Sequence, residues 1–421
     1  LPEISVPRWT RPAYQIRSML RKRIGLEVVV LDFLGERPGD NSIVLLESLR
    51  QTGLLPAPYV WAAFGSVPIS DLNQIEQAAV TGLIRLGETG RGPFSRLGWI
   101  DDVIAWVDAA TERRGSHRHW TVEQFNASAT SSLARFVDDE GCAFWFKAVS
   151  PADQNEAHVT KILASLFSPY LPELIAFHSE WNAWLMSDGG AALSTVVLNP
   201  ACLANVVERL AQLQKASIEH VGTLLANGFD DHRMANLRVQ LPELTPYLEE
   251  AGRSQHAQTG FRIKISRIRQ ISRLTAHVIA RIEELDIPAT LLHCDFSLEN
   301  ILLSGKDCLF ADWAQAGVGN PLVTFEQLRL QLNQTEATKT LLPRLTEIYR
   351  SNWADTIPRD QMNQAFRLLP LIAIASNLCC RREWLTASGT DRTLSRSYAR
   401  ILARQLDHAA QMIEDNISIC A

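Results

Sequence analysis

The sequence predicts an α+β protein: a small α+β unit, then an antiparallel-sheet region, then a mainly helical remainder. Three observations predict it. Short β-type runs cluster at Trp120–Asn126, Leu133–Val137 and Cys142–Val149, the last two joined by the turn Asp138-Asp139-Glu140-Gly141. From Leu193 onward apolar residues recur mostly with helical spacing. One hairpin signal interrupts that helical part, the apolar runs Ile301–Leu303 and Cys308–Ala311 around Ser304-Gly305-Lys306-Asp307.

Composition narrows the classes. The chain has 421 residues, 46% hydrophobic and 21% charged, ordinary values for a soluble protein of about two or three domains. A net charge of −5 gives no reason to expect a nucleic acid polymer as partner. Seven cysteines without a C-x-x-C pair point to a reducing compartment, the cytoplasm, rather than a disulfide framework or a zinc site. Leu368–Ala375 is broken by Pro370 and too short to cross a membrane, and the first residues lack the apolar core of a signal peptide.

In chain order, residues 1–92 read as an accessory α+β domain. Leu26–Phe33, Ser42–Glu47 and Tyr59–Phe64 are candidate strands, and Tyr14–Arg23 and Leu72–Leu86 candidate helices. Asp32, Asp40 and Glu47 suit turns or solvent better than chemistry, and the expected role is dimerisation, as a homodimer contact, or a lid. Gly87 to Pro93 reads as a linker. Trp99–Arg114 follows as an amphipathic helix ahead of the strands. The loop Ala127-Ser128-Ala129-Thr130-Ser131-Ser132 joins the first two strands. Its small residues leave the backbone N–H groups accessible, although it has no glycine.

Lys147 lies inside Ala143-Phe144-Trp145-Phe146-Lys147-Ala148-Val149, where a lysine must snorkel or meet an anion. Glu156 shares the apolar face of the next helix with Val159 and Leu163, which suggests that the two pair. Leu174–Glu180 and Trp181–Ser187 are further strands, ended by Asp188-Gly189-Gly190. Among the later helices, Pro242 and Pro246 are expected to bracket a polar turn. Phe261–Leu285 is a long amphipathic helix whose arginines suit a solvated face.

The chemistry concentrates in Leu291–Pro321. Folded about Lys306, the hairpin brings Asn300 and Asp312 opposite each other at its open end, with Asp295 in the loop leading in. Two carboxylates and an amide make a hard oxygen site suited to Mg²⁺. A polar hairpin mouth is the plain alternative. The spacing favours chemistry: base, first metal ligand, hairpin, second metal ligand.

His293-Cys294-Asp295-Phe296-Ser297-Leu298-Glu299-Asn300, then Ala311-Asp312-Trp313, then Gly319-Asn320-Pro321, resembles the aminoglycoside phosphotransferase and choline kinase superfamily. Its pattern there is H-G-D-x-x-x-x-N, D-W and G-x-P, and the resemblance covers roughly residues 96–385. It implies a bilobal protein kinase-like fold, with an antiparallel-sheet N-lobe over 96–189 and a helical C-lobe over 190–421 holding the catalytic and metal site. It also implies ATP and Mg²⁺ bound between the lobes and a small-molecule acceptor. Asp295 is then the base, and Asn300 and Asp312 the metal ligands. Lys147, oriented by Glu156, contacts phosphates. Ser128 and Ser131 belong to the loop over the phosphates, and Met186, Ser187 and Asp188 form the hinge beside the adenine. His293 braces the loop.

Two positions depart from the pattern. Cys294 stands where Gly is usual, and Thr324 where an Asp commonly supports the catalytic loop. Ser297 is not the Lys of protein kinases, and no A-P-E segment follows Asp312, which disfavours protein kinase activity. A catalytically silent nucleotide-binding scaffold is the rival of a different class.

Overall fold

A computed structural model of the protein describes residues 4–6, 11–34, 43–49, 55–59, 68, 70, 72–86, 92–111, 119–150, 154–253, 263–305, 307–380 and 403–414. The chain forms two compact units, residues 1–161 with 172–188, and residues 162–171 with 189–421. The first is built on an antiparallel sheet and the second is mainly helical, the α+β, kinase-like organisation expected. The candidate strand Tyr59–Phe64 lies outside the described residues except for Tyr59, and the linker except for Gly92 and Pro93.

The first unit opens with α1 (Pro12–Ile24), which has Pro at its start, where no N–H is needed, and Gly25 in the left-handed region at its end. Ala13, Ile16 and Leu20 form its buried stripe. β1 (Val28–Leu34) pairs antiparallel with β2 (Ile43–Ser48). Strand alternation sends successive side chains of β1 to opposite faces, and both faces are covered. Val28 and Val30 pack with α1, while Val29 and Leu31 enter the core of the larger sheet. The buried Gln124 side chain ties β1 to that sheet: its Oε1 accepts from Val30 N–H and its Nε2 donates to Val30 C=O, both at 2.8 Å. α2 (Gln74–Leu86) and α3 (Trp99–Ala110) follow. Glu47 accepts from the N–H of Gly98 at 2.9 Å, at the start of α3.

The larger sheet comprises β3 (Thr121–Ala127), β4 (Ser132–Val137), β5 (Ala143–Ala148), β6 (Leu174–His178) and β7 (Ala183–Ser187), in the order β3-β4-β5-β7-β6. All its pairings are antiparallel. Phe146, Ala148, Ala134, Phe136 and Leu185 bury one face against Trp99, Ile100, Val103 and Val107 of α3. Trp145 and Lys147 fall on the other face by alternation. α4 (Gln154–Phe167) comes after β5 and carries Glu156 in its first turn.

In the second unit, β8 (Ala191–Ala192) precedes α5 (Pro200–Ser217), which is capped by Asn199 accepting from Cys202 N–H at 2.9 Å. Next come α6 (Val221–Ala226), β9 (Asp230–His232), α7 (Met234–Arg253) and α8 (Ile265–Glu283). The expected turn at Pro242 and Pro246 is not formed, because both prolines lie inside α7. Leu237, Leu241, Leu244 and Leu248 keep helical spacing across them and are buried, whereas both prolines are exposed. The carbonyls that the missing N–H groups leave unpaired therefore lie on the wet side of the helix, and packing overrides the local breakers.

The remaining elements position the site. β10 (Thr290–His293) pairs with β13 (Ala316–Gly319), which pairs in turn with β9. β11 (Ile301–Ser304) and β12 (Asp307–Phe310) form the hairpin, and β8 adds to β11. Gly190 allows that approach: it sits at φ +94°, and a Cβ there would lie 1.9 Å from the Leu303 carbonyl oxygen. After them come α9 (Leu322–Leu332), α10 (Glu336–Lys339), α11 (Leu342–Asn352), α12 (Arg359–Cys380) and a helix over residues 403–414.

Candidate active site

β10 is buried along its whole length, and the chain reaches the surface just beyond it, at Asp295. The loop then folds on itself. Ser297 N–H donates to Asp295 C=O at 2.9 Å, and Asn300 N–H to Ser297 C=O at 3.0 Å. The Asn300 side-chain Nδ2 also donates to Asp295 C=O, at 2.9 Å. That bond fixes the amide and leaves Oδ1 as its ligand atom.

The hairpin register differs from the expected one by one residue. Ser304 pairs with Asp307 and Ile301 with Phe310, so the strands fold between residues 305 and 306 rather than about Lys306. Asn300 consequently stands across from Ala311, whose N–H donates to Asn300 C=O at 2.9 Å, and Asp312 follows one residue later. A two-residue turn with Gly305 at φ +63° sets this register. Asp312 itself has φ +65°. For a residue with a Cβ the left-handed region costs about 1–2 kcal/mol, and Asp is among the few types that tolerate it. The conformation turns the chain just where the second carboxylate must stand.

His293 is fully buried and packs on Trp313, with ring centroids 4.5 Å apart. Its Nε2 lies 2.9 Å from the Ala311 carbonyl, which only accepts, so the proton is on Nε2. Burial pushes its pKa below the ordinary 6.5, against the opposing pull of the Ala311 carbonyl, Asp312 and Asp295. Nδ1 has no hydrogen-bond partner among the described residues, so a second proton would find no acceptor. A neutral His293 thus joins the loop of Asp295 to the segment of Asp312. Cys294 is buried and its N–H donates to Gln315 C=O at 3.3 Å. It is not among the positive-φ residues, so the loop makes no use of a glycine there.

Three side chains of α9 support the loop. The Thr324 hydroxyl accepts from His293 N–H at 3.2 Å and donates to His293 C=O at 3.5 Å. Support at this position is thus present although no Asp stands there. Gln327 and Gln331, which sequence reasoning missed, bond the loop backbone further along. The only sequence signal for them is their shared helix face with Thr324. The segment before α9 is anchored too: Gln214 Nε2 donates to Pro321 C=O at 2.8 Å, and Tyr349 donates to Gln214 Oε1 at 2.7 Å, both buried.

In the sheet unit, Lys147 forms an ion pair with Glu156. The side chains are 19% and 7% exposed, and the ammonium lies 5.8 Å from the centre of the Trp184 ring. The expected hinge is Met186, Ser187 and Asp188. Ser187 N–H donates to Glu173 C=O at 2.9 Å and Asp188 N–H to Ala143 C=O at 3.1 Å, so both amide protons are used inside the unit. The Asp188 carboxylate accepts from Arg135 Nη2 at 2.6 Å and from Trp145 Nε1 at 3.3 Å. In the β3–β4 loop, Ser128 Oγ accepts from Ser131 N–H at 2.9 Å and pairs with Ser131 Oγ at 2.7 Å.

Fold and loop together define a protein of the phosphotransferase class. The chain belongs to the phosphotransferase enzyme family, whose model matches residues 122–353, more than half of the chain. A comparison with curated proteins finds no match. Among solved structures, a macrolide 2'-phosphotransferase of Brachybacterium faecium is similar at 15% identity and a TM-score of 0.46, over 71% of this chain and 97% of that one. An ethanolamine kinase of Plasmodium vivax gives 13% and 0.47, over 75% and 89%. A choline kinase of Streptococcus pneumoniae gives 11% and 0.45, over 73% and 98%.

Proposed function

We propose that this protein transfers the γ-phosphoryl group of ATP to a hydroxyl of a small molecule. One observation carries the reading: the hydrogen bonds from Asn300 Nδ2 to Asp295 C=O and from Ala311 N–H to Asn300 C=O gather a carboxylate, an amide and the left-handed Asp312 around one hairpin. Asn300 Oδ1 and the Asp312 carboxylate are hard oxygen donors of the kind Mg²⁺ takes, and they are its proposed ligands. Mg²⁺, when bound, neutralises charge on the phosphates. The exposed Asp295 carboxylate accepts the proton of the acceptor hydroxyl. The hydroxyl oxygen forms a bond to the γ-phosphorus, and the bond from that phosphorus to the β–γ bridging oxygen breaks, leaving ADP. Lys147, held by Glu156, contacts the phosphates, with Ser128 and Ser131 in the loop over them. Met186, Ser187 and Asp188 lie beside the adenine, with the Ser187 and Asp188 N–H groups already bonded within the sheet unit.

By this reading residues 96–189 bind nucleotide, residues 190–421 supply the base and the metal ligands, and residues 1–92 are an accessory domain. Its proposed compartment is the cytoplasm. Among the described residues Cys142, Cys202, Cys308 and Cys379 are free thiols, and no helix is long and apolar enough to cross a membrane.

The acceptor classes to test are aminoglycosides, macrolides and amino alcohols such as choline and ethanolamine. The test is a screen of ATP consumption over these hydroxyl compounds. One acceptor class is expected to raise ADP formation at least about tenfold above the water background, a barrier lower by at least about 1.4 kcal/mol. Mg-ATP binding without turnover on any acceptor would instead identify a silent scaffold.

A further inference from the structure

The Asp295 side chain is exposed, so packing around the carboxylate does not fix it. Its position must come from the backbone, and the backbone of the loop is bonded almost group by group. Gln327 Nε2 donates to Cys294 C=O at 3.0 Å, and its Oε1 accepts from Phe296 N–H at 2.8 Å. Those two groups flank Asp295 on either side. Gln331 repeats the arrangement one frame on: Nε2 donates to Phe296 C=O at 2.6 Å, and Oε1 accepts from Leu298 N–H at 2.9 Å. Leu298 C=O in turn accepts from Ser194 N–H at 3.0 Å.

The spacing has a geometric basis. Four residues of helix rise about 6 Å, and two residues of open chain span at most about 7 Å. Glutamines four apart on α9 can therefore each serve one two-residue frame of the loop. A glutamine amide carries a donor and an acceptor side by side, as a neighbouring strand would. The rigidity of α9 comes from its other residues: Leu322, Val323, Phe325, Leu328 and Leu332 are buried.

We propose that Gln327 and Gln331 are positioning residues, which clamp the peptide groups on both sides of Asp295 and so hold the base in line for the acceptor hydroxyl. They act through the loop and not on substrate. The proposal rests on the reading of Asp295 as the base.

Two readouts test it in the full chain. The first is amide hydrogen exchange. Gln327→Leu is expected to raise exchange at Phe296, and Gln331→Leu at Leu298, by at least about tenfold while α9 itself stays protected. The second is ADP release from Mg-ATP, with the acceptor found by the screen or with water where none is found. Gln327→Leu is expected to lower kcat at least about tenfold with KM for Mg-ATP within about twofold, since an interaction needed only for the reacting geometry is lost. Gln327→Glu adds a check that general destabilisation does not predict. An ionised glutamate cannot donate to Cys294 C=O, whereas a protonated one can, so the variant-to-wild-type ratio of kcat is expected to rise as pH falls. Should Gln327→Leu fail to fold, Gln331→Leu and Gln327→Glu carry the same two readouts. Unchanged exchange at residues 296 and 298, or kcat within twofold of wild type in all three variants, overturns the proposal. If Asp295→Ala leaves ADP release unchanged, the reading of the base fails, and the exchange data still decide whether the clamp exists.

Discussion

The two units hold their chemical groups by opposite means. In the sheet unit two of these contacts are local. Lys147 meets Glu156 nine residues on, and Ser128 meets Ser131 three residues on. In the helical unit Asp295 and Asp312 are exposed and Asn300 is half-buried, and what holds the loop of Asp295 is a buried helix reaching back. Gln327 and Gln331 bond backbone groups 31 to 35 residues earlier in the chain. One side is fixed by pairing charges and hydroxyls, the other by pairing peptide groups. The difference predicts what substitutions do: on the sheet side they should cost stability or nucleotide affinity, and at Asp295 and the glutamines behind it, rate.

The largest effect should follow loss of the second metal ligand. Asp312→Ala is expected to weaken Mg-ATP binding by at least about 100-fold, a loss of about 3 kcal/mol, read by calorimetry. Unchanged affinity would remove Asp312 from the metal site. Next, Lys147→Ala leaves a nearly buried Glu156 without its cation. It should lower unfolding free energy by about 2 kcal/mol in denaturant titration, and Lys147→Met with Glu156→Gln should recover part of that. If the single variant is as stable as the parent, the pair is not the anchor of the sheet side.

A pH effect distinguishes the helical side. Burial holds the His293 pKa below 6.5 in the folded chain, so between that pKa and 6.5 the unfolded chain binds more protons. Stability is complete above pH 6.5, falls as pH drops below it, and levels off below the folded-state pKa. The slope of Tm against pH in this window should be smaller in His293→Gln than in the parent; equal slopes would mean that His293 already ionises when folded. The smallest effect belongs to the self-held loop. Ser128→Ala removes hydroxyl bonds that are partly exposed, and should cost less than about 1 kcal/mol and change KM for Mg-ATP only a few fold, with kcat unaltered.

The same contrast explains what was legible in the sequence. The gathering of Asp295, Asn300 and Asp312 at one hairpin could be read because they lie on one short stretch of chain. Lys147 and Glu156 stood out because a charge within an apolar run needs a partner. The strands of the sheet were visible from their alternation and turns. The hairpin was visible too, but its register was off by one residue, because a two-residue turn and a pivot on Lys306 look alike in sequence and differ in pairing. The α7 turn was misread because two exposed prolines locally mimic a break, while the leucines that keep the helix whole are satisfied only by packing. Gln327 and Gln331 left almost no trace, since a polar residue on a helix gives no sign of whether it faces water or a buried peptide group. Thr324 was noticed as a departure, and only the structure gave its hydroxyl a partner.

The account depends most on Asp295 as the proton acceptor. The direct measurement is ADP formation by Asp295→Ala with Mg-ATP and the acceptor found in the screen, alongside calorimetric binding of Mg-ATP to the same variant. The account predicts turnover lowered by about 10²–10⁴-fold, with nucleotide affinity within about twofold of the parent. Turnover at a rate comparable to the parent would contradict it.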